Sequence, residues 1–354
     1  MKYITLGEIC KKGSSNIAQK DLEGNVGEFD IYGASGFIKK VDFYHQEKPY
    51  IAIVKDGAGI GRTMLLPAKS SVIGTMQYIL PNDDIDIRYL YYAIDNMNLG
   101  KYYMGAAIPH IYFKDYQREQ LPLRDINEQK KIADILARID ALLTDQKAQL
   151  IKLDELVKSR FIEMFGDQRT NPFGWDMVTI GDIATEVRYG TSRPAVEGGK
   201  YPYLRMNNLT YEGYLDLTDL KYIDIPDNEI EKCVVRNGDV LFNRTNSVEL
   251  VGKTCVYNLD YDMVIAGYII RVRIDDRMLP VVLSSYLNST VLKEQLRSMA
   301  KGAVNQANIN AQELQSIPIY LPPIDLQHEF ATFVEQIDKS KYHGEFSYET
   351  EVAA

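Results

Sequence analysis

The strongest constraint on this chain is that it contains itself twice. "TLGEI" (Thr5 to Ile9) returns as "TIGDI" (Thr179 to Ile183), and "GRT" (Gly61 to Thr63) returns as "GKT" (Gly252 to Thr254). Each of the latter pair is soon followed by an apolar run containing glycine, "SVIGTMQYIL" and "MVIAGYIIRV". The longest match runs without a gap: "LPLRDINEQKKIADILARID" (Leu121 to Asp140) aligns with "IYLPPIDLQHEFATFVEQID" (Ile319 to Asp338). Matches in the same order over most of the chain mean two copies of one module.

A chain of 354 residues is too long for one compact core and suits two domains. Within each copy the texture is short β-branched strands split by Gly, Asn and Asp, as in "PYIAIVKDGAGIGRTMLL" and "GDVLFNRTNSVELVGKTCVY". Helical stretches such as "DIRYLYYAIDNM" and "MLPVVLSSYLNSTVLKEQLRSM" come late in each copy. The expected fold class is α+β. Residues 1–125 and 167–323 form two mixed α/β modules, 126–166 is a long coiled-coil-type helix between them, and 324–354 is a shortened second helix with an acidic tail.

From Glu128 to Phe165 there is no Gly or Pro. Apolar residues at Ile132, Ile135, Ile139, Leu142, Leu150, Leu153, Val157, Phe161 and Met164 are spaced by threes and fours except around Gln146, which marks a register shift. Such a helix reaches roughly 55 Å at about 1.5 Å per residue. One small domain cannot bury so long a stripe, so the helix calls for a partner. In "FGDQRTNPFGW", Gly166 is the expected stop and Pro172 forbids continuation. The second copy enters the same pattern as "HEFATFVEQIDKSK", and Gly344 is expected to break it.

Catalytic motifs are incomplete. Asn171-Pro172-Phe173 lacks the second proline of an amino-methyltransferase loop. "DGAGIG" (Asp56 to Gly61) has only three alternating glycines and runs into a strand, so a hairpin turn is the better reading than a phosphate cradle. The four histidines and three cysteines show no metal-ligand or disulfide spacing. No apolar run approaches the roughly 20 residues of a membrane span, and the setting expected is the cytoplasm. Net charge is −9, with more than half of the excess after residue 323, so either module has room for a local basic cleft.

Polar, donor-rich loops recur at matching places in the two copies. Lys55 and Arg62 flank the first; Asn243, Arg244, Asn246 and Lys253 occupy the second. "AIPHIYF", with His110, falls opposite "AVNQANIN", with Asn305, Gln306 and Asn308. Arg and Lys can bond guanine O6 and N7, and Asn and Gln can bond adenine N6 and N7, so these loops suit base reading in the major groove. Thr191, Ser192 and Arg193 in "RYGTSRP" suit phosphate contacts.

With two such modules, "LFNRTNSVELVGKT", "GAVNQANIN" and "IPIYLPPIDLQ" in place, the chain resembles the specificity subunits of type I restriction-modification systems. The resemblance implies a non-catalytic subunit whose two target-recognition domains each read half of a split sequence in double-stranded DNA. It implies that long helices pair antiparallel, space the halves and dock methyltransferase subunits, and that a restriction and translocase subunit joins them. S-adenosylmethionine, ATP and Mg would then belong to those partners and not to this chain. Two rivals stand beside it: a self-contained DNA methyltransferase or nuclease, and a coiled-coil adaptor that never touches DNA.

Overall fold

A computed structural model describes residues 2–105, 109–300 and 307–352, with side chains as far as Lys341. The chain divides into two compact units, 1–145 and 146–354. The division falls inside one continuous helix, Ile126–Phe165.

Each unit opens and closes on the same ribbon. Lys2–Thr5 pairs antiparallel with Gln120–Leu123, and Asp176–Thr179 with Pro318–Leu321. Thr5 and Thr179 then start one-turn helices, their backbone N–H groups donating to the carboxylates of Glu8 at 2.8 Å and Asp182 at 2.7 Å. Leu6 and Ile9, and Ile180 and Ile183, are buried beneath. Glycine between them eases a close passage, because a Cβ on Gly7 would lie 3.3 Å from the Gln117 carbonyl oxygen, and one on Gly181 would lie 3.2 Å from that of Gln315. The repeated pentapeptide is thus a cap, two core residues and a close passage.

The main sheets repeat as well. In the first unit the order is Cys10–Ser14, Met76–Pro81, Tyr50–Val54, Thr63–Leu66; in the second it is Ala184–Tyr189, Ile269–Ile274, Val240–Asn243, Thr254–Val256. All these pairings are antiparallel. The inner strands Tyr50–Val54 and Val240–Asn243 are buried along their whole length, which explains their nearly unbroken apolar sequence. Each unit adds a smaller sheet with one parallel pairing, Phe29–Gly33 with Ser70–Val72 and Tyr201–Leu204 with Met263–Ile265. A nine-residue helix follows in each, Ile87–Asp95 and Pro280–Asn288.

The long helix stops at Phe165. Gly166 adopts φ +87°, and a Cβ there would strike Pro172. Trp175 Nε1 donates to the Phe165 carbonyl at 3.0 Å, and Tyr320 Oη donates to that of Gly166 at 3.0 Å, satisfying two end carbonyls. The Asn171 amide is spent on the backbone N–H and carbonyl of Trp175. Asn-Pro-Phe is a turn, as expected.

The break expected at Gly344 does not occur. The closing helix runs Ile324–Val352, since a glycine costs a helix interior only about 1 kcal/mol against alanine. Nor does the long helix lack a partner within the second unit. Asp154 meets Lys341 at 2.5 Å, Arg160 lies 5.9 Å over the Phe333 ring, and Phe161 and Phe165 pack edge-to-face on Phe330. Positions rising along one helix meet positions falling along the other, so the two are antiparallel. Past Ile132, which packs on the core of the first unit, the earlier half of the stripe stays open: Ile135, Ile139 and Leu142 are 57%, 40% and 64% exposed. There the first unit buries Gln129 and Ala133, a different face.

Cys10 lies buried in the first unit and Cys233 and Cys255 in the second, all as free thiols. No helix of the described residues is long and apolar enough to cross a membrane.

Candidate nucleic-acid interface

In each unit the loop leaving the central strand is tied to a segment far along the chain. The Ile111 N–H donates to the Lys55 carbonyl at 2.9 Å, and the Ile309 N–H donates to the Arg244 carbonyl at 2.9 Å. Gly61 N–H closes the first loop on Val54 O at 2.8 Å, and Gly252 N–H closes the second on Asn243 O at 2.9 Å. Lys55 and Arg244 are therefore equivalent, as are Ile111 and Ile309. The recurrence seen in the sequence is one of position in space.

Beside that tie, each unit places a polar pair. His110 Nδ1 bonds Asp56 Oδ1, and Lys55 Nζ stands 3.6 Å from Asp56 Oδ2. Tyr112 packs over His110 with ring centroids 4.0 Å apart. In the second unit Thr245 and Asn308 are strand partners, and the Thr245 hydroxyl donates to Asn308 Oδ1 at 2.8 Å. Arg244 lies 5.0 Å over the Tyr189 ring and donates from Nη1 to Gly267 O at 3.3 Å. Gly267 N–H in turn donates to Thr191 O at 2.8 Å, which brings Thr191 beside Arg244. Tyr112, Tyr189 and Tyr268 are exposed here, a combination of cations and aromatic faces that suits stacking and phosphate contact.

The other expected residues divide. Arg62 is exposed and donates to Ala34 O at 3.0 Å. Gly57, Gly59 and Gly61 around it all have positive φ, forming the turn of the hairpin Tyr50–Val54 and Thr63–Leu66. Ser192 and Arg193 are exposed, with Arg193 ion-paired to Glu229 at 2.8 Å, which holds that carboxyl below its usual range. Asn246 is half-buried and donates to Asn243 Oδ1 at 2.8 Å.

Two residues are corrected. Asn243 is fully buried at the end of a core strand, its amide donating to Tyr268 O at 3.1 Å. Lys253 is 7% exposed, and its ammonium donates inward to Met206 O at 2.7 Å, with burial pushing its pKa down. Both shape the loop from below and offer no outward group. Asn305 and Gln306 lie outside the described residues.

Asp56, Thr245, Tyr112 and Tyr189 join this candidate site in the structure, and no spacing in the sequence singles them out. In the sequence Asp56 is the first residue of the glycine turn "DGAGIG". Its partner is 54 positions away, so only topology reveals the pair.

The sequence model of a family described as "Type I restriction modification DNA specificity domain" matches residues 1–153 and again 172–344. The type I restriction enzyme EcoKI specificity subunit of Escherichia coli (strain K12) is 26% identical over 253 residues, covering 66% of this chain and 53% of that protein. The putative type I restriction enzyme MjaX specificity subunit of Methanocaldococcus jannaschii is 29% identical over 171 residues, 47% of this chain and 40% of that one. The chain thus spans about half the length of these relatives. Among solved structures, the S subunit of a type I restriction-modification system from M. genitalium matches with a TM-score of 0.61 at 16% identity, over 99% of this chain and 93% of that chain.

Proposed function

The chain belongs to the family of type I restriction modification DNA specificity domains, and we propose from that premise that it is a sequence-specific DNA-binding subunit with a split target. Each unit reads one half of the site in double-stranded DNA. The observation that carries this reading is the equivalence of the two loops. The same pair of backbone ties, at Lys55 and Ile111 and at Arg244 and Ile309, presents a cation, a polar pair and an aromatic face in each unit.

Lys55, Arg62 and His110 serve the first half-site. Thr191, Ser192, Arg193, Arg244, Asn246 and Asn308 serve the second, Arg193 exchanging Glu229 for a phosphate. The subunit carries no chemistry of its own. Methyltransferase subunits bring S-adenosylmethionine and take the target base out of the duplex, and a restriction subunit brings ATP and Mg. The open stripe of Ile135, Ile139 and Leu142 is a surface for those partners, because three large apolar groups on one helix face are costly to leave in water. The setting is the cytoplasm, where chromosomal DNA is reached.

Co-expression with the cognate methyltransferase subunit, followed by genome-wide mapping of methylated bases, tests the reading. A two-part motif with an unread spacer is expected. Methylation without sequence preference, or by this chain alone, would overturn it.

A further inference from the structure

The two polar pairs beside the loops share a construction that goes beyond exposing a side chain. In each unit a loop residue engages one end of the outward-facing group and leaves the other end to a ligand. Asp56 does this to His110, and Thr245 does it to Asn308, from equivalent loop positions next to Lys55 and Arg244. A carboxylate only accepts, so the bonded His110 Nδ1 must carry the proton, and Nε2 is the ring atom left over. The Thr245 hydroxyl donates to Asn308 Oδ1 at 2.8 Å, so the Asn308 amide is held with its NH2 group outward. Among the described residues neither His110 Nε2 nor Asn308 Nδ2 has a further partner, and Asn308 is exposed at its strand end.

This matters because a free asparagine and a held one read different bases. A free amide offers an acceptor and a donor side by side, which matches adenine N7 and N6. An amide whose Oδ1 is turned in toward a hydroxyl presents its N–H groups outward, and these match the two adjacent acceptors of guanine, O6 and N7, as a lysine ammonium does. Resting on the DNA-reading function above, we infer that Asn308 reads guanine in the second half-site, and that Thr245 is the positioning residue that sets this choice. Asp56 plays the same part for His110 in the first half-site, leaving Nε2 as the single reading atom.

The test is the methylated motif of the full chain co-expressed with its methyltransferase subunit, compared among variants. In the wild type one position of the second half-site is guanine. Thr245→Val frees Oδ1 and admits adenine there, lowering guanine preference by about tenfold or more, while the first half-site is unchanged. Thr245→Ser keeps the hydroxyl and the wild-type motif. Should the valine variant fail to accumulate, Asn308→Ala, which alters an exposed side chain, relaxes the same position, and His110→Ala relaxes one position in the first half-site only. A purely structural role for Thr245 would lower total methylation without changing the base, and that result would overturn the inference. So would a motif untouched by Asn308→Ala. Both leave the split-site function standing, whereas a wild type that methylates without any motif removes the function itself.

Discussion

Gln129 and Gln327 occupy one place in the two units. Each is fully buried, at 1% and 0% exposure, near the start of a long helix. Gln129 Oε1 accepts from the Asp86 N–H at 2.8 Å, and its amide donates to Arg124 O at 3.0 Å; Gln327 Oε1 accepts from the Leu279 N–H at 2.8 Å, and its amide donates to Arg277 O at 2.9 Å and Pro322 O at 2.8 Å. Asp86 and Leu279 are the residues that open the two nine-residue helices. One side chain in each unit thereby fastens a long helix to the helix that covers the main sheet.

Replacing that amide by an apolar isostere leaves backbone groups buried and unpaired. Gln327→Leu should destabilise the second unit by roughly 2–4 kcal/mol, at 1–3 kcal/mol for each strongly affected group. Denaturant unfolding with tryptophan emission from Trp175, the only Trp in the chain, follows that unit directly. Gln129→Leu should leave the Trp175 transition where it is and move the far-ultraviolet circular dichroism transition of the first unit.

Lys293 sets a pH dependence. It is 3% exposed, its amine donates to Gly252 O at 2.6 Å, and burial pushes its pKa down to about 7, with Arg297, Lys253 and Lys158 adding to the effect and Glu212 opposing it. Between about 7 and the ordinary value of 10.5 the unfolded chain holds the proton and the folded chain does not, so stability rises with pH across that window. Below it both states are charged and the burial cost is felt in full. Lys293→Met should therefore stabilise the second unit by a few kcal/mol, on the order of 1.4 per pKa unit, at pH 6.5 and by much less at pH 10.5. Equal gains at both values would contradict the assignment.

Arg244 and Lys253 separate surface from support. Arg244→Ala should flatten the slope of log affinity against log salt by roughly one unit for DNA carrying the recognised site. Lys253→Ala should leave that slope alone and lower thermal stability instead, because its ammonium holds Met206 O inside the unit. Fluorescence anisotropy across a salt series, paired with thermal melts, distinguishes the two.

The open stripe offers a partner-binding test free of folding effects. Ile139→Asp with Leu142→Asp should change stability by no more than about 0.5 kcal/mol, as surface substitutions usually do. It should nonetheless weaken association with the methyltransferase subunit by tenfold or more on size-exclusion or mass photometry. Undiminished assembly would remove this surface from the interface.

Much of this architecture was legible because repetition is a signal that survives in the letters. The return of Thr5–Ile9 at Thr179–Ile183, the hairpin glycines and the stop at Gly166 each show in a short stretch of sequence, and short stretches can be read along a chain. The position of Lys253 could not be read. It follows a loop in a polar run, and it is the Met206 carbonyl on one side and the helix Thr290–Met299, whose Lys293 bonds the neighbouring Gly252 carbonyl, that make that place an interior. Asn243 failed for the same reason: its strand is buried to its last residue. Asp56 and Thr245 gain their meaning from partners across the sheet, and no spacing announces them. Gly344 shows the opposite error, a local breaker overridden by the helix around it.

The three buried thiols give the molecule an internal clock for its own opening. A thiol reacts as thiolate, and burial raises the pKa of Cys10 and Cys255 to about 12, so in the folded state both are nearly inert to alkylation. Cys10 reports only the first unit and Cys233 and Cys255 only the second. Mass shifts after timed alkylation, one label against two, would therefore count separately how often each unit comes apart, without any engineered probe.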